Sequence, residues 1–574
     1  MANMQWWQTA VFYQIYPRSF ADGNGDGIGD FPGMTGKLDY LRELGVDAIW
    51  LSPHFPSPQF DVGYDISDYV DVAREYGTLD DFKHFLDAAH QRGMRVILDL
   101  VLNHTSHLHA WFLESRSSRD NPKRDWYIWR EGVNGGPPNN WLSPFGGPAW
   151  EYDETTDAYY YHYFLKEQPD LNWRNPEVKQ AMWEAVRFWL DMGVDGYRLD
   201  AIGTIYEDPE LPDHDGALTD ELRRKLNHGF PSGTDPEVTA AWQRIYRYQS
   251  GQPGVHELMQ ELRQLVDEYP DRLLVGESAE ISYYGDGTNE LHLLFNFPLM
   301  RTNRLTPEWI RENQQTRLSQ LPPGAWPCNT LNNHDASRVR SRYGDGHAAR
   351  DEAIARTSLA LMLTLRGTPF LYNGEEIGMS DYQLTDIHDF VDPPSIMYYH
   401  QEVANGMPAE EAIRRAAKDT RDRCRTPFQW DRTPNAGFSP EGVRTWLPVN
   451  PNFADGVNVA DQMNDPSSML NFYRDLLCIR KETPALISGD YQPLHEASKD
   501  TLAFLRQSDS PRQTCLVVLN LSEQTQHIQF DIPSRTARCI FSTHKSTNES
   551  LSLNNLEMTP FEILIAEIQS AAQA

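Results

Sequence analysis

Short apolar and β-branched runs alternate with longer stretches of helical periodicity along most of the chain. Residues 11–16 (V-F-Y-Q-I-Y) precede the helix-like T-G-K-L-D-Y-L-R-E-L, and residues 47–52 (D-A-I-W-L-S) precede D-D-F-K-H-F-L-D-A-A-H-Q-R-G. Residues 95–102 (R-V-I-L-D-L-V-L) form a third run, and later ones end at Asp200, at Glu277, near Asn296, at Asp335 and in P-F-L-Y-N-G-E-E from Pro369. Such alternation predicts parallel βαβ units, and eight strands predict an α/β fold built on a (β/α)8 TIM barrel. Two stretches break the rhythm. Residues 104–173, rich in Trp, Tyr, Gly and Pro, are too long for a plain loop and predict a small domain inserted after strand three. A second insertion is expected at about 380–445, before the helix S-M-L-N-F-Y-R-D-L-L-C-I-R-K-E completes the barrel. From about 488 to 574 short strands separated by turns predict a C-terminal antiparallel β-domain. The barrel thus occupies residues 1–103 and 174–487.

Charge narrows the partners. The 574 residues carry 82 acids against 51 bases, a formal net charge of −31. Such a surface repels phosphate backbones and anionic headgroups, so neither nucleic acid nor membrane is an expected partner, whereas a neutral sugar approaches without electrostatic cost. Five cysteines show no metal-binding spacing and read as reduced thiols. The opening M-A-N-M-Q-W-W-Q-T-A has no basic start followed by an apolar stretch, and no run of 18 apolar residues occurs. A cytoplasmic protein without leader or span is expected.

Three acids stand where short apolar strands run out: Asp200 in V-D-G-Y-R-L-D, Glu277 in R-L-L-V-G-E and Asp335 in N-T-L-N-N-H-D. Carboxylates at the strand ends of one barrel converge on one site, and two facing a glycosidic oxygen suffice to cleave a sugar acetal. Alternation puts Arg198 and Asp200 on one face of their strand. The guanidinium is expected to lower the Asp200 pKa and keep it ionised, as a nucleophile requires. Glu277 has no basic neighbour in its motif, so burial and the other acids are expected to keep it protonated, as a general acid requires. Asp335, beside His334, would hold sugar hydroxyls.

These motifs resemble the α-amylase superfamily of glycoside hydrolases, in its α-glucosidase and oligo-1,6-glucosidase branch. The match rests on D-L-V-L-N-H ending at His104, G-Y-R-L-D ending at Asp200, V-G-E ending at Glu277 and N-N-H-D ending at Asp335. Q-P-D-L-N from Gln168, Y-Q-I-Y-P-R-S-F, R-T-P-F-Q-W-D and N-A-G-F-S add to it. The resemblance implies Asp200 as nucleophile, Glu277 as acid/base and Asp335 as transition-state stabiliser in a retaining double displacement, with the first two carboxyls about 5–5.5 Å apart. It implies that Asp61, Tyr64, His104, Arg198 and His334 line the pocket for the terminal glucose, and that Phe145, Phe164 and Gln168 shape its mouth. Asp61 with Arg425 would close the pocket, making cleavage exo, although Arg421 and Arg423 lie in the same R-D-R-C-R run. Ala201 follows the nucleophile where a valine accompanies α-1,6 preference, so the smaller side chain implies a preference for α-1,4 links, with some transglucosylation.

The loop D-G-N-G-D-G-I-G-D offers oxygens from Asp22, Asn24, Asp26 and Asp30 and the Ile28 carbonyl, a set suited to Ca²⁺ or Mg²⁺. The resemblance favours such a structural cation, and no organic cofactor is expected. The same scaffold also serves sucrose isomerases and glucosyltransferases. Phe428 in R-T-P-F-Q-W resembles the isomerases, but their R-L-D-R-D motif is missing. A catalytically silent barrel is the remaining alternative, disfavoured by the complete acid set. Oligomeric state is left open.

Overall fold

The computed structural model describes residues 4–219, 222, 235–303 and 305–569. Eight parallel strands form the central sheet: β1 Phe12–Ile15, β2 Ala48–Leu51, β3 Arg95–Leu100, β4 Gly196–Leu199, β5 Leu273–Gly276, β6 Leu293–Leu294, β7 Cys328–Thr330 and β8 Thr368–Tyr372. Their order is β7-β8-β1-β2-β3-β4-β5-β6, a nearly closed barrel. Almost every strand residue is buried, as expected of a parallel sheet covered on both faces. The sixth strand, anticipated near Asn296, is only two residues long and pairs with β5.

The covering helices carry their own signals. Leu79–Gln91 starts at a Thr78/Asp81 capping box and buries Phe82, Phe85, Leu86 and Ala89, an i, i+3, i+4, i+7 stripe. Pro176–Met192 has Pro at its first position and ends at Gly193, whose φ of 107° suits only glycine well. Met469–Glu482 is the closing helix and buries Leu470, Phe472, Tyr473, Leu476 and Leu477.

Register places the site. Asp99 of β3 pairs with Arg198 of β4, Arg198 pairs with Val275 of β5, and Leu199 pairs with Gly276. Asp200 and Glu277 therefore leave adjacent strands at the same level, with Asp200 N donating to Leu100 O and Glu277 N to Leu199 O. Gly276 permits this approach. A Cβ there would stand 2.4 Å from Leu291 Cδ1 and 2.8 Å from Leu294 Cδ2.

Within residues 104–173 the strands Trp129–Arg130, Trp150–Asp153 and Ala158–Tyr161 form an antiparallel sheet. A further excursion, between β4 and β5, was not separated from the barrel by its sequence pattern. Its helix Pro236–Tyr246 contributes Val238, Trp242, Ile245 and Tyr246 to one core with Trp141, Phe145, Trp150, Tyr161 and Phe164. After β8 the helices Pro393–Ala404 and Ala409–Asp419 form a hairpin. The C-terminal region holds a six-stranded antiparallel sheet and a two-stranded one, around Leu516, Val518, Leu564 and their neighbours. Among the described residues no helix is long and apolar enough to cross a membrane.

Candidate active site

A cavity of about 270 Å³ opens at the carboxyl ends of the strands. Its wall includes all three predicted acids together with Asp61, Tyr64, His104, Phe145, Phe164 and Ala201. Residues separated by up to 274 positions in the chain thus meet around one hollow.

Arg198 organises the floor. It is fully buried and its Nη1 donates to Asp99 Oδ1 and to Asp200 Oδ1, both at 2.7 Å. Its Nη2 forms an ion pair with Glu277 Oε2 at 2.5 Å. Glu277 therefore does have a basic partner, from the neighbouring strand and not from its own motif, which corrects the expectation of an unpaired acid. One guanidinium holds both carboxylates at the ends of adjacent strands, so both face the same hollow.

A second correction concerns Asp200. Burial, the largest effect, pushes its pKa well above the ordinary carboxylate value; Arg198 opposes this, and the charges of Glu277 and Asp99 push it further up. Asp99 is raised to about 6, again by burial against the pull of Arg198. Three acids around one guanidinium cannot all ionise freely in a low dielectric, and the upward push on Asp200 and Asp99 is the result.

Ala201 ties these two acids together. Its φ of 41° and ψ of 41° are left-handed, a conformation costing a non-glycine residue about 1–3 kcal/mol. That turn aims its N–H at Glu277 Oε2, 3.1 Å away.

Asp335 sits in the opposite electrostatic setting. Burial would raise its pKa, but His334, Arg425 and Arg421 hold it well below the usual range. The arginines carry this effect at neutral pH, because burial pushes His334 itself down to about 3. Arg425 Nη2 donates to Asp335 Oδ1 at 2.5 Å, and Arg421 Nη1 lies 3.5 Å from the same oxygen. His334 Nδ1 contacts Gln14 Nε2 at 2.7 Å and its Nε2 contacts Tyr64 Oη at 2.7 Å, while Tyr64 donates to Asp99 at 3.1 Å.

The ion pair expected at Asp61 differs from expectation in one residue. Arg421, not Arg425, pairs with Asp61: Nη2 to Oδ1 is 2.8 Å. The four-residue turn Arg421–Cys424 is a 3-10 helix, which swings Arg421 to the cavity wall and leaves Arg425 wholly buried beneath Asp335 and His334. Gln168 is also corrected. It is fully buried behind the wall, with its Nε2 at 3.0 Å from both Asp61 Oδ2 and His104 Nε2, and so braces the wall without shaping the mouth. Arg198 and His334 likewise stand behind the lining and not in it. His104, driven to about 3 by burial, is neutral and meets Phe164 edge-on at 5.3 Å. Phe428 is buried against Phe20 and Trp430 and does not face the cavity, so it says nothing about the sugar.

The sequence reading missed part of the cavity lining: Phe297, Met300, Arg301, Arg342, Glu280, Thr204 and Ser250. Arg301 lies over the Phe297 ring at 4.6 Å. Only R-T-N-R following F-N-F-P-L-M could have marked it. Asp99, the partner of Arg198, was detectable as an acid inside an otherwise apolar strand.

A model of the α-amylase catalytic domain matches residues 14–489. The chain belongs to the α-amylase family of glycoside hydrolases. Among its relatives, the oligo-1,6-glucosidase of Parageobacillus thermoglucosidasius is 39% identical over 586 residues, covering 98% of this chain and 99% of the relative. The α-glucosidase of Pediococcus pentosaceus is 38% identical, covering 95% and 96%. Among solved structures, the trehalulose synthase MutB from Pseudomonas mesoacidophila MX-45 superposes with a TM-score of 0.87 at 38% identity, covering 99% of this chain and 100% of that one. Retention through a covalent intermediate is general to the α-amylase family, and the pairing of Asp200 and Glu277 on Arg198 is its local form here.

The acidic loop folds on its own backbone. Asp22 accepts from Gly25 N and Gly27 N, Asn24 Oδ1 from Asp26 N, Asp26 Oδ1 from Ile28 N, and Asp30 from Gly23, Asn24 and Gly33 N. Burial raises the Asp30 pKa, and the charge of Asp22 adds to that rise. Among the described residues no three His, Cys, Asp or Glu side chains converge as a metal cluster. The donors are nonetheless all hard oxygens, Asp22 and Asp30 repel each other, and neither has an arginine or lysine ion-pair partner among the described residues; a hard cation fits that chemistry.

Proposed function

We propose that the protein is an exo-acting retaining α-glucosidase that removes glucose from the non-reducing end of short α-glucosides, α-1,4 links preferred, with some transglucosylation. The observation carrying this reading is the Asp61–Arg421 ion pair in the wall of the cavity that Asp200 and Glu277 also line. A walled end admits one sugar ring and stops a longer chain from threading through.

In the first step an Asp200 oxygen bonds to the anomeric carbon while the glycosidic C–O bond breaks and Glu277 gives its proton to the departing oxygen. In the second, Glu277 takes a proton from water, whose oxygen displaces Asp200 and returns glucose with its original configuration. This chemistry requires Asp200 ionised and Glu277 carrying the proton at the start. Arg198 favours ionised Asp200 through a charge-assisted bond, and Asp335, kept anionic by two arginines, supplies negative charge facing the oxocarbenium-like transition state. Substituting a sugar hydroxyl for water in the second step gives transglucosylation.

The α-1,4 preference rests on Ala201. Its methyl lines the cavity beside Glu277, where a valine would crowd the leaving group. One or two methyl groups discriminate by about 1–3 kcal/mol.

A second reading, sucrose isomerisation or glucosyl transfer, is favoured by Arg301 in the cavity lining and by the likeness to structures of trehalulose synthase solved with sucrose. A kcat/KM panel over maltose, isomaltose, sucrose, trehalose and p-nitrophenyl α-glucoside separates the two, with the products identified by NMR. Free α-glucose as the first product supports the α-glucosidase; isomeric disaccharides from sucrose would replace it with the isomerase. No release above that of Asp200→Asn would leave a silent barrel.

For the loop, the proposal is a structural Ca²⁺ or Mg²⁺ held by Asp22, Asn24, Asp26, Asp30 and the Ile28 carbonyl. Such a cation would neutralise the Asp22–Asp30 repulsion and takes no part in bond cleavage.

A further inference from the structure

Asp392 holds the N-cap position of the helix Pro393–Ala404, where an aspartate ordinarily accepts from the first free amides of its own helix. It makes no such bond. Its carboxylate turns instead to Arg421, accepting from Nε at 2.7 Å and from the Arg421 backbone N–H at 3.3 Å, with Nη2 also at 2.7 Å. Ser395 Oγ donates to its other oxygen at 2.7 Å. Asp392 is 2% exposed and lies outside the cavity lining. The helix opens on Pro393 and Pro394, which have no N–H, and Ser395 N and Ile396 N donate to the Asp392 carbonyl, so the buried carboxylate is left to grip a guanidinium.

That guanidinium serves three acids. Arg421 donates to Asp61 at 2.8 Å, pairs with Asp392 at 2.7 Å and lies 3.5 Å from Asp335, with its Cζ 5.4 Å above the Phe145 ring. Asp335 has a second cation in Arg425, and Asp61 has the Gln168 amide. Asp392 therefore settles how far Arg421 stands from the reacting side. Without its charge the guanidinium is free to slide toward Asp335 and to loosen its hold on Asp61.

We propose that Asp392 is a positioning residue: it fixes Arg421, and through Arg421 the wall that receives the non-reducing end of the sugar. The inference rests on the α-glucosidase reading of the cavity. It also gives the hairpin Pro393–Ala404 and Ala409–Asp419 a task, since Asp392 precedes its first helix and Arg421 follows its second.

The test is Asp392→Asn, which keeps shape and hydrogen bonding but removes the charge. KM for p-nitrophenyl α-glucoside, and the inhibition constant of glucose, are expected to rise about tenfold, the scale of one weakened charged hydrogen bond. Chemistry at Asp200, Glu277 and Asp335 is intact, so kcat is expected to stay within about threefold, the pattern of lost uniform binding. Asp392→Glu, which restores the charge, is expected to recover most of the wild-type KM. Asp422→Ala is the structural control. Asp422 Oδ2 accepts from Val391 N and Asp392 N and so pins the same hairpin base, and its carboxylate makes no hydrogen bond to the Arg421 side chain. It is expected to lower the melting temperature and leave KM alone. A folded Asp392→Asn with KM within about twofold of wild type, or an Asp422→Ala that reproduces the KM rise, would overturn the inference. If Asp392→Asn does not fold, Asp392→Glu with unrestored KM does the same. Wild-type protein that released no nitrophenol would sink the α-glucosidase reading instead, and glucose binding by calorimetry would still compare the variants.

Discussion

Replacing Arg198 by methionine isolates the charge that organises the floor of the cavity. Arg198 is fully buried and contacts Asp99, Asp200 and Glu277 at 2.5–2.7 Å. Methionine keeps much of the stem and volume. Removing a unit charge about 4 Å from Asp200, at an effective dielectric near 20, withdraws about 4 kcal/mol of stabilisation from the carboxylate. That corresponds to a further upward shift of about three pH units. Asp200, already raised by burial, would then carry a proton at neutral pH and could not attack. The acid limb of the kcat/KM profile for p-nitrophenyl α-glucoside is expected to move up by about that amount, with activity at pH 7 down about a thousandfold. Stability follows the same sign. An acid with a raised folded pKa takes up its proton in the folded state first, so stability falls as pH climbs from the unfolded value of about 3.9 through the folded one. The variant extends that falling window upward. Its deficit in urea melts should be about 3–5 kcal/mol at pH 7 and smaller at pH 5. A variant whose acid limb stays at the wild-type pH, with only its melting temperature lowered, would reduce Arg198 to a strut and refute the shared-charge account.

Other consequences are open to direct measurement. Ala201→Val places a β-branched residue at φ 41° beside the leaving group; the maltose to isomaltose ratio of kcat/KM should fall by up to about 200-fold, and melting should drop by the strain of about 1 kcal/mol or more. Chelation with EDTA should lower the melting temperature and restoration of Ca²⁺ should raise it; an unchanged melt would dispose of the bound cation. Acid should unfold the protein early. His54, His104, His292 and His334 are driven to about 3 by burial, so the unfolded chain binds their protons first, and each costs up to about 1.4 kcal/mol per pH unit as pH falls from about 6.5 toward 3. Asp335 adds to the loss below about 3.9, its folded pKa being the lower one. Circular dichroism that stays native from pH 7 down to pH 4 would contradict this burial.

Much of the machinery was legible because it sits on regular elements. Asp200, Glu277 and Asp335 each follow an apolar run, and period-two alternation put Arg198 beside Asp200 in the strand. The loop residues were harder. Arg421 and Arg425 are both arginines in one R-D-R-C-R stretch, and the choice between them depends on the 3-10 turn that separates their side chains. Phe428 belongs to a motif that pointed to isomerases, yet it is packed on Phe20 and Trp430. The excursion between β4 and β5 carries a helix of ordinary amphipathic pattern, Pro236–Tyr246, so nothing local marked it as part of the inserted core.

Local chemistry along the chain marked the barrel, the excursions after β3 and β8, and the three acids at the strand ends. Strand periodicity and the short-range cost of burying a carboxylate are both properties of neighbouring residues. Tertiary structure alone decided the protonation and the walls. Those depend on distances between residues far apart in sequence: Arg198 shared by three acids, Arg421 shared by Asp61, Asp335 and Asp392, and Gln168 drawn behind the wall. Electrostatic energy in a low dielectric is set by such separations, and a linear pattern does not contain them.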